Sequence, residues 1–296
     1  MSRPTSVARR LFDRLEPVHA VTYFAPESRA ALADLGYRGF WTGYFAARSA
    51  PLGQVPPEVV TALFYNFSPR QVHKALPAAW EIATPAAVVT ARQDAAVAAL
   101  RRYGITDDET VRSAAELAEV AARSAPLHGR ALFAANAALP WPDEPVAKLW
   151  HATTLLREQR GDGHVAVLAA RGISGRACNV LHAVAGRVPR EMIAPSRDYD
   201  EQAWQEQLDE LTTRGLVDAG GSLTADGAAL KAQIEEDTDR LASGAFDALD
   251  DRQLAALFAA LTPLTRLVVA GGDIPAATPM GLNRDELDDD SLQGTR

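Results

Sequence analysis

The chain has 296 residues, 47% of them hydrophobic and 23% charged, with a formal net charge of −8 at pH 7 and one cysteine, Cys178. That length suits two domains, the composition is that of a globular protein, no apolar run approaches the roughly 18 residues of a bilayer span, and one cysteine excludes an intramolecular disulfide. The opening residues reach Asp13 and Glu16 before any long apolar run, unlike a secretory signal, so a cytoplasmic protein is expected.

Helical signals dominate the first half. Val7, Leu11, Phe12 and Leu15 form an amphipathic stripe that meets Pro17, where the helix is expected to stop. Pro26 opens a short helix that Gly36 ends, and "GYRGFWTGYFAARSAPLG" reads as a buried helix because it is apolar nearly all round. Ser68 with Pro69, and Thr84 with Pro85, have the residue types of an N-cap and a first helical position. Two more helices follow, and the proline-rich turn at 140–145 predicts a boundary after a helical ligand-pocket domain over 1–140.

Beyond that turn, "VAKLWHATTLLREQ", "HVAVLAARG" and "SGRACNVLHAVAG" read as three helices, "DYDEQAWQEQLDELTTRG" as a fourth, and "LVDAGGSLT" as two short apolar pieces flanking a Gly-Gly turn. A long helix, "ADGAALKAQIEEDTDRLA", comes next. This order predicts a winged helix with a short β-hairpin wing over 145–245, followed by a helix and extension over 246–282 and an acidic tail over 283–296. The fold class expected is therefore mainly α, with a helical domain joined to a winged helix.

The candidate recognition helix argues against DNA. Between Asp198 and Leu211 it carries Asp198, Asp200, Glu201, Glu206, Asp209 and Glu210 and no lysine or arginine, so phosphate would repel it. Arg187, Arg190, Arg197 and Arg214 supply at most a basic rim.

Polar residues inside apolar sequence are the candidates for a site. His19 and Tyr23 are four apart, as are Tyr44 and Arg48, so each pair shares a helix face; a buried Arg48 needs a carboxylate, such as Glu16 or Asp162, or an anionic ligand. Tyr65 and Asn66 lie between Phe64 and Phe67, which is the composition of an apolar pocket with a few orienting polar groups. In "LREQRGDGHVAVL", Asp162 is expected to N-cap a helix beginning near Gly163, with two glycines forming an interhelical corner. His164 would then occupy the first turn near Arg160, where the helix dipole favours neutral imidazole. No HExxH, nucleotide-binding loop or cysteine-histidine metal motif occurs, so no metal site and no cofactor are expected.

The stretches "PVHAVTYF", "GYFAARSAPLG", "TALFYNF", "NAALPWPDEP" and "LREQRGDGHVAVL" together resemble an actinobacterial family of helix-turn-helix and winged-helix proteins. The resemblance implies a helical domain fused to a MarR-like winged helix and a role with small molecules of specialised metabolism; it assigns no catalytic residues. The sequence therefore predicts a small organic ligand held by Tyr23, Tyr44, Arg48, Tyr65, Asn66, Arg160 and Asp162. A cofactor-free isomerase, cyclase or hydratase would use His19 or His164 as its acid/base. The alternatives are a ligand-responsive MarR-like regulator, a homodimer on DNA, and a protein-interaction module built on the acidic helix.

Overall fold

A computed structural model describes residues 3–278 together with Met280, Leu282, Arg284 and Leu287. Among these residues the α-helices in chain order are α1 (Thr5–Phe24), α2 (Pro26–Asp34), α3 (Phe40–Ser49), α4 (Pro57–Leu63), α5 (Pro69–Ala75), α6 (Ala79–Ile82), α7 (Pro85–Arg102), α8 (Glu109–Ser124), α9 (Ala131–Ala137), α10 (Pro145–Ala170), α11 (Gly175–Val184), α12 (Arg190–Ser196), α13 (Glu201–Thr213), α14 (Ala225–Ser243) and α15 (Asp251–Ala270). Local chemistry sets most of their starts. Ser68, Thr84, Asp108, Ser174, Asp200, Thr224 and Asp250 each accept a hydrogen bond from the backbone N–H three residues on.

Three expectations are corrected. Pro17 does not stop α1, which runs through it to Phe24. An internal proline costs about 3 kcal/mol, but residues 10–22 of this helix are all buried, against α7, α10, α14 and α15, and that packing outweighs the lost bond. The corner at Gly161 and Gly163 is likewise absent, because α10 is one helix of 26 residues through both glycines. The glycines serve space: Gly163 packs toward Leu241, whose Cβ lies 3.5 Å from where a glycine Cβ would stand, and Gly161 borders the main cavity.

The third correction is to the fold class. The mainly α part of it holds, but no strand occurs among the described residues, and the expected β-hairpin wing is a single antiparallel bridge between Val217 and Leu223. Asp218 explains this, since its carboxylate accepts the N–H groups of Gly220 and Ser222 and closes the turn around a side chain. Its backbone bonds are Asp218 N–H to Ser222 C=O, Gly221 N–H to Asp218 C=O and Thr224 N–H to Leu216 C=O. The acidic tail expected over 283–296 lies outside the described residues apart from Arg284 and Leu287.

Buried apolar side chains form three clusters. The largest joins α1, α7, α8, α10 and α15, and so draws on chain from both sides of the 140–145 turn. A second gathers α3 to α7 around Phe45, Phe64 and Phe67, and a third holds α11 to α14 against the end of α10. Helix α15 is long and apolar enough to cross a membrane by composition, with a mean hydropathy of 1.6, contrary to the reading that no run comes close; half of that window is buried within the first cluster, as in a core helix.

The segment 64–70 clamps the second cluster to the third. Tyr65 Oη donates to the Ile173 carbonyl at 2.9 Å, Asn179 Nδ2 to the Asn66 carbonyl at 2.8 Å, and Ser68 Oγ and Arg70 Nε both donate to Asp198. Gly175 sits at the closest point, where a Cβ would stand 1.8 Å from the Tyr65 carbonyl oxygen. Gly175→Ala must therefore push α11 away from this segment. The expected loss is about 1–3 kcal/mol or more, seen as a lower denaturant midpoint with little change in helical circular dichroism.

Candidate functional site

Helices α1, α3, α10 and α12, with segment 63–67, enclose a cavity of about 370 Å³. Its apolar wall is aromatic: Phe40, Trp41, Tyr44, Phe64 and Phe67 line it, and Trp41, Tyr44 and Phe67 pack ring on ring. Of the residues predicted from sequence, Tyr23, Tyr44, Arg48, Tyr65, Asn66, Arg160, Asp162 and His164 border this one space. His19 does not; it lies behind Tyr23.

Glu158, one turn above Thr154 on α10, is 3% exposed and centres a buried ion network. Arg157 Nη1 donates to both its oxygens at 3.0 Å, and Arg48 Nη2 reaches it at 3.4 Å from α3. Arg157 Nε also meets both oxygens of Glu16, at 3.3 Å, from α1. Burial alone would raise the Glu158 pKa, but Arg157 and Arg48 bring it down to about 2, while at Glu16 burial prevails over Arg157 and the pKa rises. Arg48 thus has a carboxylate partner, though neither Glu16 nor Asp162.

Arg160 and Asp162 have structural partners as well. Arg160 pairs with Asp239 at 2.8 Å and Glu235 at 3.3 Å on α14. Asp162 Oδ2 accepts the Phe133 N–H at 2.9 Å, capping α9 instead of a helix of its own, and burial pushes its pKa up to about 6. His164 is in mid-helix, so the dipole at a helix start does not act on it; burial brings its pKa down to about 4.

A directed hydrogen-bond chain reaches the cavity at Tyr23. The Thr154 hydroxyl donates to the Trp150 carbonyl, so it accepts from His19 Nδ1–H at 2.9 Å. That tautomer leaves His19 Nε2 to accept from the Tyr23 hydroxyl, also at 2.9 Å. Burial lowers the His19 pKa well below its ordinary value and raises that of Tyr23. The resting pair is a neutral phenol and a neutral imidazole, with the Tyr23 oxygen lone pairs left for a cavity ligand. Tyr23, and not His19, is the member of this pair that borders the cavity.

Sequence reasoning missed Arg157 and Glu158, which look like an ordinary charged helix pair, and it placed Arg197 on a basic rim. Arg197 lines the cavity from the end of α12, stacks 4.1 Å over Phe67, and has no carboxylate partner among the described residues. Burial lowers its pKa, and its Nε is buried without a partner. The sequence also missed a convergence of His164, Cys178 and His182, for which the spacing "CNVLH" on one helix was the available signal.

Of the other rim arginines, Arg190 pairs with Glu201 and Arg214 donates to the Gly172 carbonyl, while Arg187 is exposed. Helix α13 exposes Glu201, Glu206, Asp209 and Glu210, whereas Val188, Met192, Ile193 and Ser196, on and just before α12, face the cavity.

Helices α12 and α13, joined by residues 197–200 and packed against α11, have the helix, turn, helix order, and α12 contributes to the cavity wall. The chain matches the model of a helix-turn-helix family over residues 8–275 and belongs to that family. No curated protein and no solved structure matches it.

Breaking the ion network should be severe. Glu158→Gln leaves Arg157 with Glu16 alone and Arg48 with no carboxylate, and a broken buried pair costs about 3–5 kcal/mol, to be read as a lower urea midpoint. The pH dependence follows from His151, 2% exposed, whose pKa burial pushes down to about 4. As pH falls below the ordinary value near 6.5, the unfolded chain takes up this proton first. Stability is full above about 6.5 and declines as pH falls to 4, by on the order of 3 kcal/mol for this residue. Thermal melts of His151→Gln should be flatter than wild type across that window.

Proposed function

We propose that this helix-turn-helix protein binds a small organic anion with an aromatic or apolar body, and that α12 serves as part of the ligand-binding wall. The observation that carries the reading is Arg197, a guanidinium without a carboxylate partner among the described residues, facing an aromatic cavity large enough for such a molecule. Arg197 is half-buried and its Nη1 donates to the neutral Ser196 carbonyl and hydroxyl, so its charge is not neutralised within the protein, and an anionic ligand would neutralise it. Tyr23 and Arg48 would orient the polar end, and Phe40, Trp41 and Phe67 would stack on the body. Isomerase, cyclase or hydratase chemistry on the bound molecule would use Tyr23 as its proton-handling group.

Family membership favours a second reading, a ligand-responsive transcriptional regulator. A ligand touching α12 could reorient α13, which follows it after four residues. The carboxylates along α13 oppose contact with DNA phosphate, so genomic-fragment capture at low salt should retain no specific sequence. Recovery of one that the ligand releases would make the regulator the better reading.

The ligand reading is tested by thermal shift with aromatic carboxylates and their neutral amides. A ligand at a hundredfold excess over its Kd should raise Tm by about 4–6 °C. Arg197→Gln should abolish the rise for the carboxylate and leave the apo Tm within about a degree. If no carboxylate stabilises the protein, or Arg197→Gln binds equally, the proposal fails.

A further inference from the structure

We propose that His164, Cys178 and His182 bind a zinc-class divalent metal ion in the wall of the same cavity. One ring nitrogen from each histidine and the cysteine sulfur all lie within 4.8 Å of one another. Tetrahedral zinc, with Zn–N about 2.0 Å and Zn–S about 2.3 Å, holds such atoms roughly 3.3–3.7 Å apart. Contraction by about 1 Å completes the site.

The helices explain why three residues distant in sequence meet. Cys178 and His182 are four apart on α11 and so share a face. Helix α10 brings His164 to that face, and α14 closes the third side with Lys231, Ile234 and Glu235. Between them is a void of about 10 Å³, room for one ion or water-sized sphere.

The surroundings prepare His164 to ligate. Thr238, fully buried on α14, donates its hydroxyl to the Ile234 carbonyl at 2.7 Å, so its oxygen accepts His164 Nδ1–H at 2.9 Å. This tautomer presents the Nε2 lone pair, and a ring N–H fixed by a neighbouring oxygen is how metal-bound imidazoles are oriented. A thiolate and two imidazoles select a borderline-soft ion over magnesium or calcium. With the thiolate, Glu235 balances the ion's charge. Lys231 opposes it, since its ammonium lies 3.4 Å from His182 Nδ1 on a flexible stem.

Cys178 is buried, while His164 and His182 are half-buried and line the large cavity. Three protein ligands on the inner side leave the fourth position facing that cavity, the open coordination of a catalytic rather than a structural zinc. An ion there would meet a carbonyl, carboxylate or water placed in the cavity.

The test uses the full-length chain, stripped of metal and then given Zn²⁺ or Co²⁺ alone. One ion per chain is expected after gel filtration, and the Co²⁺ form should show tetrahedral bands with a thiolate-to-cobalt charge-transfer absorption. Cys178→Ser should remove the charge-transfer band and weaken binding by at least about tenfold, read on protein whose helical circular dichroism matches that of wild type. Lys231→Met, which leaves the ligands intact, should tighten binding. Substoichiometric binding, a cobalt spectrum without the thiolate band, or copper bound where zinc is not would each overturn the assignment, as would equal or weaker binding by Lys231→Met. No cavity ligand is needed, so this result and that of the carboxylate screen are independent.

Discussion

Glu158 holds two guanidinium groups inside the protein, Arg157 beside it on α10 and Arg48 from α3, and the arrangement of the cavity depends on it. Four cations and four carboxylates border one apolar space: Arg48, Arg157, Arg160 and Arg197 with Glu16, Glu158, Asp162 and Glu235. Charges removed from water in this way are tolerated only when paired. The pairings lock α1, α3, α10 and α14 in place around the cavity. Arg197 stands outside this pairing, and it comes from the helix-turn-helix unit.

That placement bears on how the unit is used. A DNA-reading helix-turn-helix turns one helix outward with basic or amide side chains for the groove. Here α13 turns carboxylates outward, several of them engaged by Gln202, Gln205 and Arg190, while one face of α12 lines the cavity. The acidic face follows from sequence alone, but the inward use of α12 depends on the clamp between segment 64–70 and α11, where Gly175 allows backbone to meet backbone.

The site was legible in the sequence to the extent that polar residues stood out inside apolar helices. Tyr44 with Arg48, and Tyr65 with Asn66, were visible for that reason, and their neighbours Phe64 and Phe67 do belong to the cavity wall. Misreadings arose where local signals had more than one physical use. Asp162 before a glycine resembles an N-cap, yet its carboxylate caps α9, 29 residues earlier. Pro17 resembles a helix stop, yet it is carried within a fully packed turn. Arg157 and Glu158 resemble solvated helix charges, and nothing in their own segment signals that Glu16 and Arg48 will enclose them.

What the sequence by itself determined is local: where helices begin at Ser68, Thr84, Ser174, Asp200 and Thr224, that they are amphipathic, and that the face of α13 is acidic. Capping bonds and helical periodicity act within about four residues, so these features are fixed before any tertiary contact forms. Tertiary structure decided the rest. It carried α10 unbroken through Gly161 and Gly163, reduced the expected wing to one bridge at Val217 and Leu223, joined Arg48 to Glu158 across 110 residues, and brought His164 beside Cys178 and His182. Each of these depends on which distant surface fills the space beside a helix. Packing and charge pairing select that surface only when the whole chain is folded.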